Sequence, residues 1–219
     1  MDRSQARGFT LVEMATVVAI VAVLGAMSIA ALSGLKNRGR FVSSSGDVLE
    51  GVRRTRAEAF GRGAPCIFVV DTAGGRWWSI ADLDNSFTLA SFNPATPNPG
   101  NDILLASGTL ATGVTFGPAG PPGGYGAALP QPFAGVPSTA SSSPAPNFAY
   151  CSFCSTGGPV GFGAITFYGS GGVVFSGGPA AVGHQFTIQS PKPSGSGLQI
   201  MTVAVIARTG AVTNFETSQ

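Results

Sequence analysis

Few residues in this chain are of types that do chemistry. There is one histidine, His184, and there are three cysteines, Cys66, Cys151 and Cys154. A serine or cysteine nucleophile activated by imidazole would have to use His184, whose neighbours Gly183 and Gln185 read as a strand end, so catalysis is not expected. The three cysteines and His184 are the right types for a zinc site. Only Cys151-Ser152-Phe153-Cys154 has metal-like spacing, however, and half a site is common by chance. Neither a metal nor a cofactor is expected. The same pair suits a small disulfide in an exported protein with Cys66 as a spare, buried thiol, and cytosolic redox chemistry would use the same letters. The remaining group is Glu13, the one charge between Phe9 and Leu35. A carboxylate in such an apolar run costs about 3 kcal/mol unless something compensates it.

The element that carries Glu13 must be a helix. A helix over 9–35 rises roughly 40 Å, enough to cross a hydrocarbon core of about 30 Å. A cleaved secretory signal is the alternative, with Arg3 and Arg7 as its basic flank and Ala31-Leu32-Ser33 as a small-residue cleavage site before Gly34. The run exceeds the roughly 7–15 residues of a signal core, and a signal gains nothing from Glu13. Arg3 and Arg7 before the run are matched by Lys36, Arg38 and Arg40 after it, so charge does not orient the span.

Arg7-Gly8-Phe9-Thr10-Leu11-Val12-Glu13 resembles the prepilin-peptidase site of type IV pilins and type II secretion pseudopilins. The resemblance implies a leader over residues 1–8, cleavage between Gly8 and Phe9, N-methylation of Phe9, and use of Glu13 in assembly. Gly8, lacking a Cβ, lets the chain lie close in a peptidase cleft. The new Phe9 amine and the Glu13 carboxylate are each unfavourable in lipid but compensate each other between neighbouring subunits. It also implies a head in the periplasm before assembly and in an extracytoplasmic or cell-surface filament afterwards. In that oxidising compartment a Cys151–Cys154 disulfide is expected.

Beyond the span, Phe41, Val48, Val52 and Ala59 recur at helical spacing, predicting that the helix continues over 36–63 with an apolar stripe until Gly61, Gly63 and Pro65 end it. Gly (32) and Pro (16) exceed a fifth of the 219 residues, which excludes a helical bundle and predicts a β-rich head over 64–219. Strands are expected over 66–70, 77–81, 87–92, 103–106, 114–116, 165–168, 173–175, 185–188, 200–207 and 211–215, as an antiparallel sheet. A Pro/Gly-rich insertion is expected over about 94–148. In Trp77-Trp78 one ring falls on each sheet face, one in the core and the other there or exposed. Charged residues are 10% of the chain, against about 25% in ordinary globular proteins, and a net charge of +2 gives no case for DNA. The Arg53, Arg54 and Arg56 cluster reads as a solvated helix face.

Asp47–Val70, Ile165–Gly172 and Val203–Val212 with Gly210 are similar to the GspH/FimT branch of minor pilins and pseudopilins. The expected fold is α+β, a type IV pilin fold. The implied function is a non-enzymatic subunit that initiates or caps a pilus or secretion pseudopilus. Its implied partners are other pilins, the prepilin peptidase, the inner-membrane assembly platform and membrane lipid. A pilus-tip receptor binding DNA or a surface ligand is the alternative.

Overall fold

A computed structural model describes residues 10–98, 100–116, 151–154, 161–176, 183–192 and 197–218, with the side chains of 27–34 and 217–218 left out. One helix, α1 (Leu11–Arg62), runs for 52 residues, roughly 80 Å. It starts at an N-cap, Thr10, and ends at Gly63, whose φ of 65° is the left-handed geometry that glycine adopts without a Cβ penalty. Its C-terminal half buries Phe41, Ser44, Ser45, Val48, Gly51, Val52, Thr55 and Ala59, a stripe at steps of three and four residues. The small residues in that stripe let the sheet approach closely.

Two antiparallel sheets receive the helix. The first contains β1 (Cys66–Asp71), β2 (Arg76–Ala81), β3 (Ile103–Thr109), β5 (Phe162–Phe167) and β6 (Val173–Phe175), in the order β3-β2-β1-β5-β6. The second contains β4 (Thr115–Phe116), β7 (Gly183–Pro191), β8 (Leu198–Ile206) and β9 (Val212–Ser218), in the order β4-β7-β8-β9. The architecture is α+β as expected, a long N-terminal helix packed on antiparallel strands, with two sheets where one was expected. The apolar alternation marks strands but not which strands share a ladder.

Alternation in β1, buried at every position, shows why the centre of the first sheet is dry on both faces. Phe68 and Val70 join the main core with Val48, Val52, Trp77 and the second sheet's Phe186, Ile188 and Val203. Ile67 and Val69 face the other way, into a smaller cluster with Trp78, Ile80, Phe92 and Phe162. Trp77 and Trp78 thus occupy opposite faces, and each is buried. Residues 87–92, expected as a strand, pair with nothing: they hold one 3-10 turn (Leu89–Ser91), and Phe87, Leu89 and Phe92 pack over Trp78 as a cover. Within the expected 94–148 insertion, β3 and β4 are sheet strands, and 117–150 lies outside the described residues.

The Tyr168–Gly172 turn docks on the end of α1. A Cβ at Gly169 would lie 2.9 Å from Gly63 Cα, so this contact needs glycine on the turn side.

Candidate functional site

The start of α1 is held by a reciprocal cap. Thr10 Oγ1 accepts from Glu13 N–H at 3.2 Å, while Glu13 Oε2 accepts from Thr10 N–H at 3.0 Å and from the Thr10 hydroxyl at 2.9 Å. Two amide donors that the first turn leaves orphaned are satisfied in this way. Among the described residues, Glu13 Oε1 accepts nothing. The expected cleavage and methylation residues, Gly8 and Phe9, lie outside the described residues.

From Leu11 through Ala26 every helix position is exposed. Leu11, Val12, Val17, Val18, Ile20, Val21, Val23 and Leu24 are each more than half exposed, and they point to all sides of the helix. A helix apolar all round has no aqueous face. Among the described residues no helix is long and apolar enough to cross a membrane. The described side chains of the apolar run stop at Ala26, short of the expected end at Leu35.

Cys151 and Cys154 are joined by a disulfide with a Cα–Cα distance of 5.3 Å. The small loop they close docks on β7: Ser152 N–H donates to the Gln185 carbonyl at 2.9 Å, and Ser152 Oγ lies 2.9 Å from His184 Nδ1. Phe153, fully buried between the cysteines, packs against Phe175 of the first sheet and Phe186 of the second. The loop is a plug at the joint of the two sheets. His184 is buried beside it, and the two bridged sulfurs have no thiolate to offer a metal. Cys66 sits in β1, fully buried, and burial pushes its thiol up to about 11.

The arginines of α1 make local contacts. Arg62 pairs with Glu58 at 2.7 Å, Arg56 donates to the Thr209 carbonyl at 3.2 Å and stacks on Phe60, and Arg53 and Arg54 are exposed.

One group escaped the sequence reading. Asp82 just after β2, Asp84, and Asp102 just before β3 bring carboxylate oxygens within 4.8 Å of one another. Asp82 accepts from Ser86 N–H at 3.0 Å and Phe87 N–H at 3.3 Å, and Asp84 accepts from the same Ser86 N–H at 3.0 Å. Burial, followed by the charge of Asp82, pushes the Asp102 carboxyl above the ordinary range. The signal was Asp82-x-Asp84, unremarkable until hairpin pairing brings Asp102 alongside.

A capped, all-round apolar helix start on a helix whose second half packs on antiparallel sheets is the arrangement expected of a type IV pilin-like chain. Residues 3–29 match the family model described as the prokaryotic N-terminal methylation motif. The chain is also 36% identical over 75 residues to the type II secretion system protein H of Xanthomonas campestris pv. campestris, a match covering 34% of this chain and 44% of that relative. The matched region is therefore less than half the relative's length. No solved structure matches the chain.

Proposed function

We propose that this chain is a non-enzymatic minor pilin or pseudopilin that helps initiate or cap a type IV pilus or type II secretion pseudopilus. The observation that carries the reading is α1 itself: one unbroken helix, apolar all round from Leu11 to Ala26 and striped in its second half, beginning at a methylation-type N-terminus. In this reading residues 1–8 are a leader removed by the prepilin peptidase between Gly8 and Phe9, and Phe9 is then methylated. Residues 9–35 cross the inner membrane once, with lipid around the exposed valines and leucines, and later pack among the helices of other pilins. The head faces the periplasm, where the Cys151–Cys154 disulfide is stable. Glu13 guides docking onto the assembly platform's growing filament by meeting the Phe9 amine of an adjacent subunit.

Intact-mass measurement of the membrane-extracted protein tests the foundation of this reading. The expected mature chain starts at a methylated Phe9. A chain starting at Met1 or Gly34 would overturn it.

A further inference from the structure

We infer that Asp82, Asp84 and Asp102 form a binding site for a hard divalent cation of calcium's class, which closes the mouth of the 82–102 excursion over the outer face of the first sheet. The inference is independent of the assembly role proposed above.

The placement follows from strand register. Strands β2 and β3 pair with Ile80 opposite Leu104 and Ala81 opposite Ile103. One step further sets Asp82 against Asp102, two like charges facing each other across an antiparallel pair, an arrangement that destabilises a hairpin unless something neutralises it. Both residues are only 5% exposed. Asp84 comes over the same mouth, because Asn85 (φ 58°) bends the chain so that Ser86 N–H reaches both Asp82 and Asp84.

Among the described residues no protein group supplies the missing positive charge. Among the described residues none of the three carboxylates makes a salt bridge; the two ion pairs are Arg62–Glu58 and Arg76–Asp71. Asp102 Oδ1 accepts from Leu83 N–H at 3.3 Å, whereas its Oδ2 is buried and has no donor among the described residues. That oxygen belongs to the carboxylate that faces Asp82 and Asp84. A buried, unpaired carboxylate oxygen beside two further carboxylates is an unstable arrangement for a bare protein and a natural one around a cation.

The donor set selects the ion. It is all oxygen and carries three negative charges, which suits hard cations and not zinc or copper. Irregular loop donors fit calcium, which takes six to eight oxygens in flexible geometry, better than magnesium, which demands a near-ideal octahedron. The chain supplies the carboxylates, and water completes the shell. Bound there, the ion would join the two ends of the segment that carries Phe87, Leu89 and Phe92 onto Trp78.

The test uses the full chain in detergent, stripped with a chelator and titrated with calcium chloride, read by calorimetry and by thermal unfolding. At a hundredfold excess over Kd the unfolding temperature should rise by roughly 5 °C, with magnesium giving a smaller rise. Asp84→Asn, at an exposed position, should leave folding intact and weaken calcium binding about tenfold. Asp102→Asn should raise the unfolding temperature of the stripped protein, because a buried like charge is removed, and abolish the calcium response. No heat and no shift up to about 10 mM calcium, or a response undiminished in both variants, would overturn the site; equal responses to calcium and magnesium would overturn the calcium assignment.

Discussion

The hydroxyls of Thr55 on α1 and Ser79 on β2 are hydrogen-bonded at 2.7 Å inside the core, and Thr55 Oγ1 also donates to the Gly51 carbonyl at 2.7 Å. Both residues are fully buried. This polar pair fixes the helix on the sheet at one register, where an apolar stripe alone would tolerate sliding. Thr55→Val keeps the shape but strands the Ser79 hydroxyl, so it should destabilise the chain by about 1–3 kcal/mol in urea unfolding. Adding Ser79→Ala should cost less than the two single changes summed. Additive losses would show that the pair is not coupled.

Four residues before Thr55, Gly51 meets Trp77. A Cβ at Gly51 would lie 2.6 Å from Trp77 Cζ3, and one at Gly108 on β3 would lie 2.7 Å from Trp77 Nε1. The ring is held between two glycines and has no side to which it can retreat. Gly51→Ala should therefore destabilise by about 1–3 kcal/mol, even though alanine is the better helix former by about 1 kcal/mol. Gly46→Ala, on the same helix with nothing within 4 Å of its Cβ, should stabilise by about 0.5–1 kcal/mol. Equal signs for the two substitutions would contradict the packing.

Cys66 gives a pH dependence. Its thiol is buried and pushed up to about 11 from an ordinary 9.0. Between pH 9 and 11 the unfolded chain releases this proton and the folded chain keeps it, so stability falls as pH rises through that window, by about 2 kcal/mol at its top. Cys66→Ala removes this contribution, and its stability curve should be flatter than the wild type's from pH 9 upward. Parallel curves would mean that the thiol does not resist ionisation.

Thiol counting checks the disulfide independently. The folded, unreduced chain should label at almost no cysteine, because Cys66 is buried and the other two are bridged. The unfolded, unreduced chain should label at one. Three labelled thiols without reductant would exclude the bridge.

Local patterns made much of this fold legible. The stripe at Phe41, Val48, Val52 and Ala59 is the buried face of α1, and Trp77-Trp78 divides between two sheet faces as alternation requires. What sequence could not supply was pairing between distant segments. Phe87–Phe92 carries strand-like apolar residues, but the amides of Ser86 and Phe87 are bound by Asp82, and the segment covers Trp78 instead of extending a ladder. Division into two sheets and the meeting of Asp82 with Asp102 depend on the same long-range register. At the helix start the motif was local, so Glu13 stood out, although its bond to Thr10 did not.

That bond sharpens the test of Glu13. One carboxylate oxygen, Oε2, closes the helix cap with Thr10, and among the described residues Oε1 accepts nothing. If Glu13 docks as proposed, one side chain would serve two roles: capping its own helix, and meeting the Phe9 amine of an adjacent subunit. Thr10→Ala removes the hydroxyl half of the cap and leaves the Glu13 charge in place, whereas Glu13→Ala removes both the charge and its half of the cap. If docking is electrostatic, Glu13→Ala should lose incorporation into filaments while Thr10→Ala retains most of it. Membrane retention should survive in both, since neither change makes the helix less apolar, and leader cleavage should persist because Gly8 and Phe9 are untouched. A subunit at the extreme tip has no neighbour above it and could dispense with the carboxylate, so a loss in Glu13→Ala also favours a position with subunits on both sides. The measurement is recovery of sheared filaments from a strain lacking the wild-type protein and carrying each variant. Equal losses in the two variants would assign Glu13 to capping alone, and normal incorporation of Glu13→Ala would remove it from assembly altogether.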